Sequence, residues 1–81
     1  MERVSFKSIP EMYEKEKSGI KNNTVRLVDI FDKRFDILED ISNEVEIEII
    51  NTETKESFIR KIRDVTFFYE YCVITWKHEE D

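Results

Sequence analysis

Between positions 44 and 49 the chain alternates acidic and apolar residues, a pattern that few local structures accommodate. The apolar members are Val45, Ile47 and Ile49, and the acidic members are Glu44, Glu46 and Glu48. Because successive side chains of a β-strand point to opposite faces, this pattern predicts a strand with one buried face. A polar run at 51–56 follows, and apolar residues return at 57–63. The two segments are therefore predicted to form an antiparallel hairpin.

The register of this hairpin follows from its turn. If Asn51 pairs with Glu56, the later cross-strand pairs are determined. They are Ile49 with Phe58, Val45 with Ile62, Glu46 with Lys61 and Glu44 with Arg63. A shift by one residue would expose the apolar set, and each opposite-charge pair contributes about 0.2–1 kcal/mol, so both effects favour this register. We interpret the basic cluster of Arg60, Lys61 and Arg63 as part of a charged, exposed sheet face and not as an RNA contact.

The only proline and the only glycine, Pro10 and Gly19, bracket a predicted helix at 9–18. Ser8 and Glu11 have the spacing of a capping box, and proline is well tolerated in a first helical turn. Gly19 is suited to the left-handed residue that ends a helix. One face of this helix is predicted to carry Ile9, Met12 and Tyr13.

A short strand is predicted at 24–28, where Val25 and Leu27 alternate with Thr24 and Arg26 and give the strand one polar face. A second helix is predicted at about 32–42, with Asp29 or Asp32 as its cap. Its apolar positions are Phe31, Phe35, Leu38 and Ile41.

The apolar runs 65–69 and 72–77 are predicted to close the sheet as a second hairpin. The element order then predicts an α+β fold with two short helices and a curled antiparallel sheet or a small barrel. The last residues, 78–81, are predicted to fray.

Length and composition limit the class of protein. A chain of 81 residues is too short for two cores, so residues 1–81 are predicted to form a single domain, monomeric or homodimeric. The single cysteine, Cys72, cannot form an internal disulfide and lies in an apolar run, so it is interpreted as a small buried hydrophobe. The segment 1–15 lacks the apolar core of a signal peptide, and no membrane-spanning run of about 20 residues occurs. A cytoplasmic location without a membrane partner is therefore expected.

Charge and residue types exclude some functions. The formal net charge of −6 disfavours indiscriminate binding to a phosphate backbone, although it allows a local basic patch. One histidine and one cysteine do not make a metal site, and a glycine-rich phosphate loop is lacking. No metal or cofactor is expected.

The segment from Pro10 to Arg26 resembles the opening of ASCH domains, which are small PUA-like barrels. In that family a helix ends in a G-x-K turn, and a strand follows with an arginine seven residues after the glycine. Gly19, Lys21 and Arg26 match this spacing. The segment 73–77 also looks like the final barrel strand of the group. The short acidic chain is similar in style to small proteins of phages and prophages of Gram-positive bacteria, for which the host cytoplasm would be the location.

The resemblance implies a cleft between the first helix and the sheet that accepts RNA or a nucleotide. Its ligand-binding residues would be Gly19, Lys21, Thr24 and Arg26. The residues alone leave other roles open. Lys21 could be a solvated turn residue near the helix C-terminus, and Arg26 could pair with a sheet carboxylate.

Some proteins with the pattern G-x-K-x-x-T-x-R are amidohydrolases that deacetylate an acetylated cytidine. By resemblance, Thr24 would be the nucleophile, Lys21 its activator and Glu70 a replacement for the family's glutamate, which lies on a segment that this chain lacks. A lysine activates a hydroxyl only if its pKa is lowered toward neutrality. We rank this enzyme third.

The second-ranked hypothesis is a non-enzymatic protein–protein interaction module, such as a phage product that modulates or inhibits a host protein. The aromatic residues are numerous enough to fill a core and still anchor an interface. They include Phe67, Phe68, Tyr69, Tyr71 and Trp76.

Overall fold

The computed structural model describes residues 2–41 and 44–78. These residues form five strands and two helices. The prediction of an α+β fold with two short helices is confirmed. The order is β1 (Glu2–Ser8), α1 (Pro10–Ser18), β2 (Asn23–Leu27), α2 (Lys33–Glu39), β3 (Val45–Asn51), β4 (Ser57–Phe68) and β5 (Tyr71–Trp76). The strands form one curled sheet, a half barrel, in the spatial order β1-β3-β4-β5-β2. The two edges of the half barrel are therefore β1 and β2.

The expectation of a purely antiparallel sheet is wrong. Strand β1, which the sequence analysis did not predict, pairs in parallel with β3, from Glu2 opposite Val45 to Ser8 opposite Asn51. The other strand pairs are antiparallel. Parallel pairing is possible here because α1, β2 and α2 lie between the two strands in the chain and supply a long crossover connection.

The predicted β3–β4 hairpin is confirmed in its register. Its ladder places Ile49 opposite Phe58 and Glu46 opposite Lys61. The predicted pairs of Val45 with Ile62 and of Glu44 with Arg63 lie beyond the ladder. The ion pairs also differ from the prediction, because Glu46 binds Arg3 of β1 at 3.0 Å and Glu44 lies 3.9 Å from Lys61.

Strand β4 continues through both of the segments that were predicted as separate strands. A bulge at Arg63 interrupts its pairing with β5, so that Ile62 faces Trp76 while Asp64 faces Thr75. Bulges bend a strand and increase its twist, which lets one strand serve both halves of a curled sheet. The predicted closing hairpin is confirmed, with its turn at positions 69–70.

The concave side of the sheet holds the core, and both helices cover it. Tyr13 of α1 and Phe35 and Leu38 of α2 are buried against the strands. An aromatic chain runs from Tyr13 through Phe58 to Trp76, with ring centroids 5.4 and 6.2 Å apart. The buried strand residues of this core are Val4, Phe6, Ile47, Ile49, Phe58, Cys72, Ile74 and Trp76.

Helix α1 agrees with its predicted bounds to within one residue, whereas α2 ends earlier than predicted. One predicted cap is also wrong. The N-cap of α1 is Ile9 and makes no side-chain cap bond, so the predicted capping box of Ser8 and Glu11 is wrong. Gly19 adopts the predicted left-handed conformation, with φ of 93°. Asp32 caps α2 by accepting the backbone N–H of Arg34 at 3.0 Å. This helix ends at Glu39, and position 42, where its predicted end fell, lies outside the described residues, as does the tail at 79–81.

Strand β2 is oriented opposite to what its apolar alternation predicts, because its polar side chains face the core and its apolar side chains face solvent. Val25 and Leu27 are exposed, whereas Thr24 is buried and Arg26 is partly buried. Arg26 can face inward because several oxygens of β1 accept its hydrogen bonds. The apolar side chains of this strand consequently lie on the outer, convex surface.

Cys72 is fully buried, and burial raises the pKa of its thiol from 9.0 to about 11. The folded state therefore holds this proton more tightly, so the contribution to stability is complete below the unfolded pKa of 9.0 and is lost as pH rises through about 11. We expect thiol reagents to label native protein slowly at neutral pH and unfolded protein fully. We also expect the free energy of unfolding to fall less between these pH values in Cys72→Ala than in the parent. Rapid labelling of native protein would contradict this placement.

Within the described ranges, none of the helices is long and apolar enough to cross a bilayer.

Candidate functional site: the cleft between helix α1 and the sheet edges

Arg26 bridges the two edges of the half barrel. Its Nη1 donates to the carbonyl of Lys7 at 2.9 Å, and its Nη2 donates to the hydroxyl of Ser8 at 3.2 Å, both on β1. Its Nε donates to the Thr24 hydroxyl within β2 at 2.9 Å. All three acceptors are neutral oxygens. The alternative prediction, that Arg26 pairs with a carboxylate of the sheet, is therefore wrong. A guanidinium side chain thus joins β1 to β2 across the seam.

A second arginine reinforces the same edge. Arg34 donates from Nη1 to the Ser5 carbonyl at 2.6 Å and is held by the carboxylate of Asp32. The two guanidinium groups lie over the ring of Phe6, with Cζ at 4.9 Å for Arg26 and 4.1 Å for Arg34. Hydrogen bonds from Arg34 lower the pKa of Asp32, and the same contact raises the pKa of Arg34. Burial lowers the pKa of Arg26, although an arginine stays charged.

A cleft of about 320 Å³ lies beside Arg26, between α1 and the two sheet edges; we call it the seam cleft. Three of the four predicted ligand-binding residues, Lys21, Thr24 and Arg26, line it together. The complete lining is Lys7, Ser8, Ile9, Met12, Glu16, Lys21, Thr24, Val25 and Arg26. The cleft between the first helix and the sheet, which the resemblance implied, is therefore present in the fold.

Glu16 is the residue that sequence analysis missed. Its side chain is 1% exposed, and its Oε2 lies 3.2 Å from Nζ of Lys21. Its other oxygen, Oε1, is buried and has no hydrogen-bond partner among the described residues. Glu16 follows Met12 by four positions and Tyr13 by three, so the helical period alone places it on the buried face of α1.

Lys21 is neither a solvated turn residue nor free. Besides the Glu16 carboxylate, its Nζ donates to the carbonyl of Asn23 at 2.6 Å, and its side chain is 25% exposed. The turn at Gly19 delivers it to this position, because the backbone N–H of Lys21 reaches back to the carbonyl of Lys15 at 3.0 Å. This bond satisfies one of the carbonyls left open at the end of α1.

Gly19 itself does not line the cleft. Its left-handed backbone ends α1, and a Cβ at this position would lie 3.0 Å from the ring of His78. Gly19 therefore affects the cleft indirectly, because its turn directs the chain so that Lys21 lies in the cleft. The backbone N–H of Lys21 is occupied within the turn and is not available to a ligand.

Glu70 lies far from the cleft residues. It occupies the turn between β4 and β5, where its carbonyl accepts the N–H of Val28 at 2.8 Å. Val28 is four positions beyond Thr24, and at about 3.3 Å per residue this corresponds to roughly 13 Å along the strand. The carboxylate beside Lys21 and Thr24 is therefore that of Glu16 and not that of Glu70.

A second, larger cleft lies on the other side of Arg26 and shares Lys7 and Arg26 with the first. Its volume is about 650 Å³. It is lined by Ser5, Phe6, Lys7, Arg26, Leu27, Asp29, Asp32, Arg34, Phe35 and Ile50. Nowhere in the described part of the chain do three or more His, Cys, Asp or Glu side chains form a group that could hold a metal ion.

The chain was also compared with known proteins. No protein-family model matches it, and no curated protein matches it at a significant level.

Proposed function

We propose that the seam cleft binds a nucleotide, either free or as part of an RNA chain. The observation that carries this proposal is the buried Oε1 of Glu16, which has no hydrogen-bond partner among the described residues, on a side chain that lines the cleft beside Lys7, Lys21 and Arg26. A buried carboxylate oxygen without a donor is costly, so a ligand that supplies an N–H group is favoured once the Glu16 side chain turns toward the cleft. Nucleobases with an amino group offer such a donor on their edge.

The charges around the cleft favour the phosphate of the same ligand. Lys7, Lys21 and Arg26 line the cleft against the single carboxylate of Glu16, whereas the whole chain carries a formal charge of −6. The cleft is thus a local basic site on an acidic protein, which steers anions to one place. Its volume of about 320 Å³ is at the lower end of the usual range for small-ligand pockets.

Binding can be measured by calorimetry with nucleoside monophosphates and a short single-stranded RNA as probes. We expect the affinity to fall as salt is raised, because phosphate contacts release counterions. Lys7→Ala should weaken binding about five-fold, which corresponds to about 1 kcal/mol. Lys7 is the preferred variant because its side chain is exposed, whereas Lys21 and Arg26 hold the fold together.

Lys77→Ala is the matched control, because it removes the same charge from an exposed lysine outside the cleft. Glu16→Gln keeps an oxygen for Lys21 but replaces an acceptor with a donor, so it should weaken binding of amino-bearing bases without unfolding the protein. Absence of binding by any probe at millimolar concentration, or equal losses in Lys7→Ala and Lys77→Ala, would refute the proposal.

Hydrolysis of an acetylated cytidine is less well supported than binding. The Thr24 oxygen accepts a hydrogen bond from Arg26, and Lys21 donates to Glu16 and Asn23. A lysine base for Thr24 would have to leave both of these partners.

A further inference from the structure

The convex side of the β2–β5–β4 half of the sheet carries a row of exposed apolar side chains. Leu27, Tyr71 and Phe68 lie directly opposite one another on the three strands. The next row is Val25, Val73 and Thr66. We call these six positions, together with Tyr69, the outer apolar face. The ring of Tyr69 packs edge-on against that of Phe68, with centroids 4.6 Å apart.

The exposure of this face is large for so small a protein. Leu27 is 65% exposed, Phe68 60% and Tyr69 86%. Taking about 150–250 Å² for a full aromatic side chain, the face leaves on the order of 600 Å² of apolar surface in contact with water. The largest patch on a typical monomer is about 300–600 Å², and one side of a standard interface is about 800 Å².

The loop after β2 adds exposed apolar side chains at one end of this face. Ile30 and Phe31 are both strongly exposed. They lie at the same end of the sheet as Tyr69, because the backbone N–H of Val28 bonds to the carbonyl of Glu70 at 2.8 Å. With these two residues the apolar area reaches that of one side of a standard protein interface, about 800 Å².

The residue types of this face indicate what kind of partner surface it can contact. Its two central rows carry no ionisable group other than the Tyr71 phenol. The acids at its margins are Asp64, which accepts a hydrogen bond from Thr66 at 2.8 Å, and the exposed Glu70 of the β4–β5 turn. An uncharged apolar face requires an uncharged apolar counterpart, since a charged one would be buried without compensation. A second copy of the chain presents such a counterpart, and stacking two of these faces brings no like charges together at the centre despite the net charge of −6.

We propose that two copies of this protein pack sheet against sheet through the outer apolar face, around a two-fold axis. Such an interface is self-complementary, as in most homodimers, and places the two sheets about 10 Å apart. Val25 belongs both to this face and to the lining of the seam cleft, but the residues that test the dimer, Leu27 and Phe68, do not line that cleft. The two proposals can therefore fail separately.

The test is the oligomeric state of the full chain. We expect size-exclusion chromatography with light scattering, at 1–100 µM protein, to give twice the mass of the 9.9 kDa chain. Leu27→Asp, which places a charge at an exposed position, should raise the dimer dissociation constant about 100-fold, because the charge would be buried at the interface. Circular dichroism of the variant should match that of the parent, since Leu27 contributes little to the core.

Ile20→Asp is the matched control. Ile20 is 80% exposed and lies in the loop after α1, away from this face, so the variant should dimerise like the parent. A second test is Phe68→Asp, which should reproduce the effect of Leu27→Asp. A monomeric parent at 100 µM would overturn the proposal. A dimer that persists in both Leu27→Asp and Phe68→Asp would also overturn it, because the subunits would then associate through another surface.

Discussion

Replacement of Lys21 with methionine is expected to lower the free energy of unfolding by about 3 kcal/mol. The reason is that Lys21 is the ion-pair partner of the buried Glu16 carboxylate. Glu16 is 1% exposed, and Lys21 supplies the donor for one of its oxygens while the other has none among the described residues. Removal of the lysine would leave a buried carboxylate without compensation, which costs far more than the loss of an exposed ion pair. Urea denaturation followed by circular dichroism measures the change.

The double variant Glu16→Leu/Lys21→Met distinguishes this cause from a loss of packing. It replaces both charges with apolar groups, so it should recover most of the lost stability. Lys17→Met serves as the control, because Lys17 is an exposed lysine on the same helix and should change stability by less than about 0.5 kcal/mol. If the single and double variants were equally unstable, the buried ion pair would not be the cause.

Arg26→Ala is expected to cost about 3 kcal/mol, because two of its acceptors, the hydroxyls of Ser8 and Thr24, are partly buried, and each such loss costs about 1–3 kcal/mol before relaxation. The bond to the Lys7 carbonyl is exposed and adds less. Three oxygens lose a donor, those of Lys7, Ser8 and Thr24. The same change removes the side chain that joins β1 to β2. Hydrogen exchange should therefore quicken in β1 and β2 more than in β3 and β4.

Arg26→Lys should restore only part of this loss, since a single ammonium group cannot reach three oxygens in the geometry of a guanidinium. Arg3→Ala is the comparison, because Arg3 also sits on the sheet edge but forms an exposed pair with Glu46, worth at most about 1 kcal/mol. Equal losses in Arg26→Ala and Arg3→Ala would mean that the seam is held by other contacts.

Both results bear on how the cleft should be probed. An alanine substitution at Lys21 or Arg26 would weaken binding by unfolding the protein as well as by removing a contact. Lys7 lines the same cleft with an exposed side chain, so it separates binding from stability.

The parts of the fold that could be predicted are those determined by neighbours in the chain. The alternation around Ile47 and Ile49 correctly predicted a strand and its hairpin register, because period and turn act over a few residues. Gly19 correctly predicted the end of α1, since a left-handed residue is a local requirement. Lys21, Thr24 and Arg26 line one cleft, and their use as a ligand site is still a proposal.

The predictions are wrong where the environment of a side chain depends on residues distant in the chain. Arg60, which was interpreted as part of an exposed charged face, is buried, with its guanidinium over the ring of Phe58 at 4.6 Å and Nη2 donating to the carbonyl of Lys17 at 3.2 Å. The acceptor lies 43 positions away in the chain. The pattern of apolar and polar residues around Arg60 carries no information about this acceptor.

The amino-acid sequence by itself determined where this chain forms helices and strands and how its central hairpin is paired, because these depend on side-chain period, turn residues and caps within a few positions. Only the tertiary structure decided that β1 joins the sheet in parallel, that Arg26 turns inward and that Val25 and Leu27 face solvent. Each of these depends on residues that are distant in the chain, and Arg26 shows why. A guanidinium is buried only where distant backbone and hydroxyl oxygens accept its hydrogen bonds, and β1 supplies them only after the sheet has curled.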